Sequence, residues 1–284
     1  MSALERADAS VPKVAELLVV CAHPDDESFG LGGVLGAFVD QGTRVRVLCF
    51  THGEASTLGE GVALGERRAA ELAAAASALG VHGVHGATLH AYPDGHLAEV
   101  ALEELVARIA EEAGDAELLL AFDVGGITAH PDHIRATEAA LAFGTDRRLP
   151  VLGWALPEEV AAQLNAELGT SFVGRRPDEL DLIVAVDRAR QRTAIACHAS
   201  QSTDNPVLWR RLGGWCLSKN HRKDACEMGS FESSEMEIGA YGAPCAEAIL
   251  ECSGERQKDS SHLELLGDAE HLRWLLPPPK ARVA

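Results

Sequence analysis

The sequence predicts an α/β protein, a Rossmann-like three-layer sandwich with a mostly parallel central sheet. Short runs of aliphatic and β-branched residues alternate along the chain with longer, Ala-rich segments of helical composition. Strands and helices that alternate at this length form βαβ units, whose successive strands run parallel. Hydrophobic residues make up 46% of the 284 residues, so the chain can bury a substantial core.

Each element follows from a local pattern. Apolar runs bounded by polar residues or glycine predict strands at residues 17–22, 44–51, 83–91, 116–124, 151–157 and 181–187. Helical composition between them predicts helices at residues 32–42, 66–80, 97–113, 131–144, 158–168 and 188–200. Gly42 and Gly80 are expected to close two of these helices, because glycine is a favoured C-terminal cap. Ligands bind outside the carboxyl ends of the strands in such sheets, so a site is expected there.

The order of the pattern divides the chain into three parts. Residues 1–215 are the predicted main domain. Residues 216–268 have little periodicity and many Ser, Gly and charged residues, so we interpret them as an insertion, loop-like or disordered. This block holds four of the seven cysteines but no CxxC pair, so no second metal site is predicted in it. Residues 269–284 are predicted to return to the domain.

The charge balance and the apolar runs exclude several kinds of partner. Asp and Glu number 43 against 25 Lys and Arg, a net charge of −18 that argues against a nucleic-acid surface. No run approaches the roughly 18 apolar residues of a membrane span, and no secretory signal pattern opens the chain. The odd number of irregularly spaced cysteines suits a reducing compartment. We therefore expect a cytoplasmic protein with a small-molecule substrate, and a homo-oligomer is compatible with this.

The first motif places three acids directly after the first predicted strand. Asp25, Asp26 and Glu27 follow the pair His23 and Pro24. Carboxylates crowded at the end of a buried strand repel one another, so a counter-charge is expected. One interpretation is a helix N-terminus, where aspartate is a good cap and acids favour the positive end of the dipole. The other is a bound divalent metal ion.

The second motif, HPDH, follows the fourth predicted strand and supplies His130, Asp132 and His133. Taken alone it fits a Pro-initiated helix with a capping aspartate. Two His-Pro-Asp turns at the same edge of a sheet would instead converge, and this coincidence favours a metal site. Imidazoles with a carboxylate suit Zn²⁺, which keeps a position for water in catalytic sites, and Fe²⁺ is the alternative.

The remaining acids and imidazoles then have chemical roles. One metal-bound carboxylate leaves its neighbour free to act as a base on a water whose pKa the metal lowers to about 7. A further imidazole can stabilise an oxyanion or protonate a departing amine. These groups together predict metal-assisted hydrolysis of an amide.

The motifs AHPDDE (22–27), HPDH (130–133) and ACHASQ (196–201) resemble those of the LmbE-like (PIG-L type) deacetylases. These zinc-dependent enzymes remove acetyl groups from N-acetylglucosaminyl compounds. The resemblance covers about residues 15 to 215 and residues 269–278. It implies a Rossmann-like fold without a dinucleotide and a hydrolase of an N-acyl amino sugar. The alternatives within the family are an amidase of a thiol-sugar conjugate or of an acylated antibiotic sugar.

The resemblance also assigns residues, which separate into metal ligands and catalytic groups. It implies that His23, Asp26 and His133 bind zinc. It implies that Asp25 is the general base toward the water at the metal. His130 would stabilise the tetrahedral intermediate and assist the amine, with Asp132 as the catalytic residue that orients it.

Substrate contacts are implied at four further positions. Asp94, in YPDGHL, resembles an acid that hydrogen-bonds sugar hydroxyls, although a Pro-Asp-Gly turn is the alternative. Arg67 or Arg68 resembles a helix arginine that reaches the substrate, and a solvated arginine is the alternative. His52 stands where relatives often have Arg or Asn.

Other positions match or depart from the family pattern. Glu27 is expected to be structural. His198 and Gln201 match a family motif, and Thr128 replaces the tyrosine that some relatives have two residues before His130.

Two rival interpretations remain at the level of function. A dinucleotide fold would need a glycine at position 35, but Leu35 occupies it. A non-catalytic metal-binding or carbohydrate-binding relative is the other rival. The presence of both Asp25 and His130 argues against it.

Overall fold

The computed structural model describes residues 10–59, 63–81, 86–212 and 268–278. Nine strands occur in this part of the chain: β1 Glu16–Cys21, β2 Arg44–Thr51, β3 Ala87–Tyr92, β4 Leu118–Phe122, β5 Val151–Trp154, β6 Leu156–Pro157, β7 Gly174–Arg175, β8 Leu182–Ala185 and β9 Ala269–Leu276. Seven of them form one sheet in the order β3-β2-β1-β4-β5-β9-β8, while β6 and β7 pair separately.

The main sheet is mostly parallel. β1 pairs in parallel with both β2 and β4, and β3 and β5 extend the parallel sheet at either side. Only β9 runs antiparallel, between β5 and β8. The carboxyl ends of β1 to β5 therefore share one edge, and the strand order reverses beside β1. Such a switch point is where open α/β sheets bind ligands.

Ten helices occur in the described residues: α1 Asp26–Phe29, α2 Gly32–Asp40, α3 Leu64–Leu79, α4 Leu102–Ala113, α5 Gly126–Ala129, α6 Pro131–Arg147, α7 Glu158–Leu168, α8 Ala189–Cys197, α9 Ala199–Ser202 and α10 Pro206–Leu212.

Apolar residues alternate along β1 between two cores. Leu17 and Val19 pack in one core with residues of α2, α3 and α8, while Leu18 and Val20 pack in the other with residues of α4 and α6. Helices thus cover both faces of the sheet, as a three-layer sandwich requires.

The predicted fold class is confirmed, with local differences. The predicted strand 151–157 divides into β5 and β6, because residues 156–157 pair with β7 instead of the main sheet. The predicted helix 97–113 begins as a 3₁₀ turn at Leu97–Glu99 and resumes at Leu102, since Val100 and Ala101 are extended.

The last predicted helix forms two helices in the structure. The helix predicted at 188–200 is interrupted at His198, whose ψ of 53° separates α8 from α9. The predicted insertion at 216–268 lies almost entirely outside the described residues. In the described part of the chain, no helix combines the length and apolar character needed to cross a membrane.

Candidate metal centre and active-site cleft

The turns after β1 and β4 bring the three predicted zinc ligands together. β1 and β4 are parallel neighbours, so the chain leaves both strands at adjacent points of the carboxyl edge. Nδ1 of His23 lies 3.1 Å from Nε2 of His133, which lies 3.1 Å from Oδ1 of Asp26. Candidate ligand atoms of all three residues lie within 4.8 Å of one another.

Backbone groups orient two of these side chains. Oδ2 of Asp26 accepts hydrogen bonds of 3.0 Å from the N–H groups of Ala22 and His23, and Oδ1 points to His133. Nδ1 of His133 lies 3.1 Å from the carbonyl of Gly126, so the tautomer protonated at Nδ1 presents the Nε2 lone pair to the cluster. Burial opposes ionisation of Asp26, but His133 and His23 hold its pKa well below the usual range.

The cluster fits a divalent zinc ion in chemistry and in spacing. Two imidazole nitrogens and one carboxylate oxygen form a ligand set that Zn²⁺ takes in catalytic sites, and Fe²⁺ also accepts it. Ligands at about 2.0–2.1 Å from a tetrahedral ion lie about 3.3 Å from one another. The 3.1 Å separations in the cluster are close to this value.

A second group, formed by His23, His130 and Asp132, also places candidate ligand atoms within 4.8 Å of one another. Both oxygens of the Asp132 carboxylate accept backbone N–H groups, Oδ2 from Gly95 at 2.8 Å and Oδ1 from Leu97 at 3.0 Å, whereas the two N–H groups at Asp26 both go to Oδ2 and leave Oδ1 for the metal. An acid held in this way is suited to orienting an imidazole rather than to binding the ion itself. The first group is therefore the better candidate for the metal.

The structure gives Asp132 a different partner from the expected one. Its Oδ2 lies 3.3 Å from Nε2 of His23. The family resemblance in the sequence had instead implied that this carboxylate orients His130. Only the backbone N–H of Asp132 reaches His130, donating to Nδ1 at 3.2 Å. The reason is the loop after β3, whose N–H groups hold the carboxylate on the His23 side.

His130 is half-buried at the start of α6 and lies against both candidate ligand imidazoles. Its ring centroid lies 4.9 Å from that of His23 and 5.0 Å from that of His133. Burial, followed by these two neighbours, lowers the pKa of His130. Because Nδ1 accepts a hydrogen bond, the neutral ring carries its proton on Nε2 and can donate from there.

Asp25 lies beside the cluster in a strained backbone conformation. Its φ of 127° is rare for a residue with a side chain. Oδ2 accepts a hydrogen bond of 3.0 Å from Nη2 of Arg68, and Oδ1 has no hydrogen-bond partner among the described residues. Burial raises the pKa of Asp25 to about 6, although the Arg68 guanidinium opposes the rise.

A buried pair formed by Glu27 and His198 supports the Asp25 turn. Both side chains are inaccessible to solvent, and Oε1 of Glu27 lies 2.7 Å from Nε2 of His198. Oε2 of Glu27 accepts the backbone N–H of Asp25 at 3.0 Å. Burial alone would lower the pKa of His198, but the Glu27 carboxylate raises it. These contacts agree with the expected structural role of Glu27. His198 holds the Glu27 carboxylate, which in turn holds the backbone of Asp25.

We expect Glu27→Ala to destabilise the metal-loaded protein by about 3 kcal/mol or more, because His198 then lies buried without its carboxylate. Urea denaturation of the two proteins measures this difference. The matched control is Glu99→Ala, which breaks an exposed His-Glu pair with His96 and should leave the transition unchanged. Equal denaturation midpoints for Glu27→Ala and the control would rule out a supporting role for the buried pair.

The predicted substrate contacts divide into two groups. Asp94 and Arg68 line the same cleft as the cluster. Oδ1 of Asp94 lies 3.0 Å from Nε2 of His23, and Oδ2 accepts the N–H of Ala55 at 2.9 Å. Arg68 is buried against Asp25, so its guanidinium acts on that carboxylate in the structure.

The structure does not bring Arg67 and His52 to the cleft. Successive helix residues face directions about 100° apart, so Arg67 lies on a different side of α3 from Arg68. Its guanidinium pairs with Glu71, 3.1 Å away on the next turn. His52 lines a separate depression with Tyr92, and its Nδ1 lies 3.3 Å from the carbonyl of Gly65. Their contact with a substrate has no support in this geometry.

The cleft has a volume of about 560 Å³ and is lined by two unlike sets of side chains. One set consists of the cluster, Asp25 and Asp94. The other set is aromatic and consists of Phe29, Phe122, Trp154 and Phe172, together with Arg211. The sequence motifs gave no sign of this second set, since its members come from five separate segments. The segment WRRLGG contains two adjacent arginines, and nothing in it indicated that Arg211 faces the cleft.

Comparison with known proteins finds a matching family model and a solved structure of similar fold. The model of the family described as GlcNAc-PI de-N-acetylase (PIG-L) matches residues 18–143, which include both His-Pro-Asp motifs. Among solved structures, the 4-carboxy-2-hydroxymuconate hydratase of Pseudomonas putida is similar with a TM-score of 0.55. It is 18% identical and covers 95% of this chain and 100% of its own, a likeness that shows the fold alone.

Two curated relatives carry the name 1D-myo-inositol 2-acetamido-2-deoxy-alpha-D-glucopyranoside deacetylase. That of Acidothermus cellulolyticus is 30% identical over 243 residues, which are 69% of this chain and 82% of the relative. That of Kineococcus radiotolerans is 33% identical over 203 residues, 57% of this chain and 53% of the relative. The chain thus spans about half the length of the second relative.

The fold and the cleft define an α/β protein with a candidate divalent-metal centre at the switch point of its sheet. Together with these relatives, they show that the chain belongs to the PIG-L (LmbE-like) deacetylase family. The predicted family is thereby confirmed.

Proposed function

We propose that this chain hydrolyses the acetyl amide of an N-acetylglucosaminyl conjugate, using a zinc ion held by His23, Asp26 and His133. The convergence of the two His-Pro-Asp turns beside Asp25 carries the proposal. The names of the curated relatives support this substrate class. Fe²⁺ is the alternative metal for the same ligand set.

The metal would supply Lewis acidity, polarising the acyl oxygen and making a water molecule easier to deprotonate. Asp25 takes the proton of the attacking water on Oδ1, because Oδ2 is engaged with Arg68. A pKa near 6 keeps Asp25 ionised at neutral pH, and its conjugate acid can then give up the proton. The proton ends on the amine nitrogen as the C–N bond breaks and acetate forms.

His130 stabilises the negative charge that develops on the acyl oxygen. Its neutral ring carries the proton on Nε2, and this N–H donates a hydrogen bond to the acyl oxygen as it gains negative charge. Asp132 and Asp94 hold the far side of the His23 ring through Nε2, which fixes the direction of Nδ1. Asp132 is therefore proposed as a positioning residue for His23 as well as for His130.

The proposal is tested by measuring amine release from a panel of N-acyl amino sugars with the zinc-loaded protein. The panel contains N-acetylglucosaminyl-inositol, free N-acetylglucosamine, a thiol conjugate and an acylated glycopeptide antibiotic. We expect zinc-dependent release of free amine from at least one of the N-acetylglucosaminyl conjugates. Folded, zinc-loaded protein that releases amine from none of them would refute the proposal and favour a non-catalytic relative.

A further inference from the structure

Arg211 is a buried cation beside the aromatic side chains of the cleft. It lies in the last turn of α10, is 6% exposed and lines the cleft wall. Its guanidinium carbon lies 5.3 Å from the centre of the Trp154 ring, and Nη2 donates to the carbonyl of Phe29. Its Nε is buried and makes no hydrogen bond. The side chain is thus stacked and fixed, but its donors are only partly satisfied.

No carboxylate among the described residues lies within ion-pair distance of Arg211. The acid that acts on it electrostatically is Glu270, whose Oε1 lies 2.5 Å from Nη1 of Arg188. Oε2 of Glu270 accepts a hydrogen bond of 2.6 Å from Trp154. Glu270 is therefore already engaged by two other side chains, and among the described residues no carboxylate pairs directly with Arg211. Burial lowers the pKa of Arg211 to about 10, so it is still charged at neutral pH.

A continuous row of rings joins Arg211 to the metal cluster. The centroids of His133 and Phe122 are 4.9 Å apart, and those of Phe122 and Trp154 are 5.5 Å apart. The guanidinium carbon of Arg211 in turn lies 5.3 Å from the centre of the Trp154 ring. A substrate whose amide reaches the cluster would therefore lie along the aromatic wall, with another of its groups near the guanidinium.

We propose that Arg211 binds an oxyanion, a carboxylate or a phosphate, carried by the substrate away from the amide that is cleaved. This rests on the proposed function and narrows its substrate class to anionic N-acetylglucosaminyl conjugates. A buried cation without a counter-charge is costly, and an anion bound in the cleft supplies that charge together with acceptor oxygens for the guanidinium.

The test compares kcat/KM for three N-acetylglucosaminides that differ only in the aglycone: neutral methyl, carboxymethyl and phosphoethyl. We expect wild type to prefer at least one anionic substrate over the neutral one by about tenfold or more. Preference for one anion alone identifies which oxyanion the site takes. Hydrolysis of all three with equal kcat/KM would overturn the inference while leaving the proposed function intact. Hydrolysis of none of the three would overturn the inference if a neutral substrate of the earlier panel is still cleaved, and the proposed function itself if no substrate of that panel is cleaved.

Variants assign the preference to a residue. Arg211→Met should reduce the anionic-to-neutral ratio of kcat/KM about tenfold, mainly through KM for the anionic substrate. The matched control is Arg210→Met, whose guanidinium pairs with Glu167 at 2.7 Å on the surface, and it should keep the wild-type ratio. Arg211→Lys retains the charge without the planar fork and should give an intermediate ratio, which keeps the test usable if the Met variant does not fold. A wild-type ratio of anionic to neutral kcat/KM in Arg211→Met would refute the role of Arg211. If Arg211→Met does not fold, a wild-type ratio in Arg211→Lys would refute it.

Discussion

Asp25→Asn is expected to lower kcat about a thousandfold while the protein retains its zinc. The substitution keeps the shape of the side chain and the hydrogen bond to Arg68 through the amide oxygen, but an amide cannot take the proton of the attacking water. General-base catalysis typically contributes about 10²- to 10⁴-fold. The side chains of aspartate and asparagine have nearly the same size, so the strained turn at φ 127° should persist.

The measurement combines steady-state kinetics on the best substrate of the panel with zinc analysis of the same preparation. Asp115→Asn is the matched control, since Asp115 is exposed in the turn before β4. Because β4 starts there, the turn lies at the edge of the sheet opposite the cleft, and wild-type kinetics are expected. Zinc-loaded Asp25→Asn with more than about a tenth of wild-type kcat would show that another group is the base.

His23→Ala is expected to abolish zinc binding and turnover together. The substitution removes one of three ligands and also leaves the Asp94 and Asp132 carboxylates without the imidazole between them. Loss of an outer-shell partner alone typically costs about 10- to 100-fold in metal affinity, so loss of a direct ligand should cost more. Zinc content after dialysis against a chelator measures the loss of metal binding. The kcat of the same preparation measures the loss of turnover.

His96→Ala is the control for this substitution. His96 is exposed near the mouth of the cleft, and its Nδ1 lies 2.9 Å from Glu99. It should keep one zinc ion per chain and wild-type activity. A His23→Ala protein that still holds one zinc ion with wild-type affinity would exclude His23 from the metal site.

Much of the fold was predictable because apolar runs and their boundaries are local features. β2 has the predicted bounds, Arg44–Thr51, and α7 has the predicted bounds, Glu158–Leu168. The convergence of the two His-Pro-Asp turns was also predictable, because parallel strands put both turns at one edge of the sheet. The sheet order was not, since nothing local to β1 says that β4 rather than β3 pairs beside it.

The finer parts of the site depend on tertiary packing. The sequence could not choose between Arg67 and Arg68, because the choice depends on which side of α3 faces the cleft. The expected partner of Asp132 was His130, but the N–H groups of Gly95 and Leu97 turn its carboxylate toward His23. Arg211 was missed because its neighbours Phe29 and Trp154 lie far from it along the chain.

Residues from two distant turns are proposed to hold one divalent ion. An anomalous difference map at the zinc edge, from a crystal of the zinc-loaded wild-type protein, can locate that ion. We expect one peak about 2.0–2.2 Å from Nδ1 of His23, Nε2 of His133 and a carboxylate oxygen of Asp26. A zinc peak bound instead by His130 and Asp132, or one that none of the three predicted ligands touches, would contradict it.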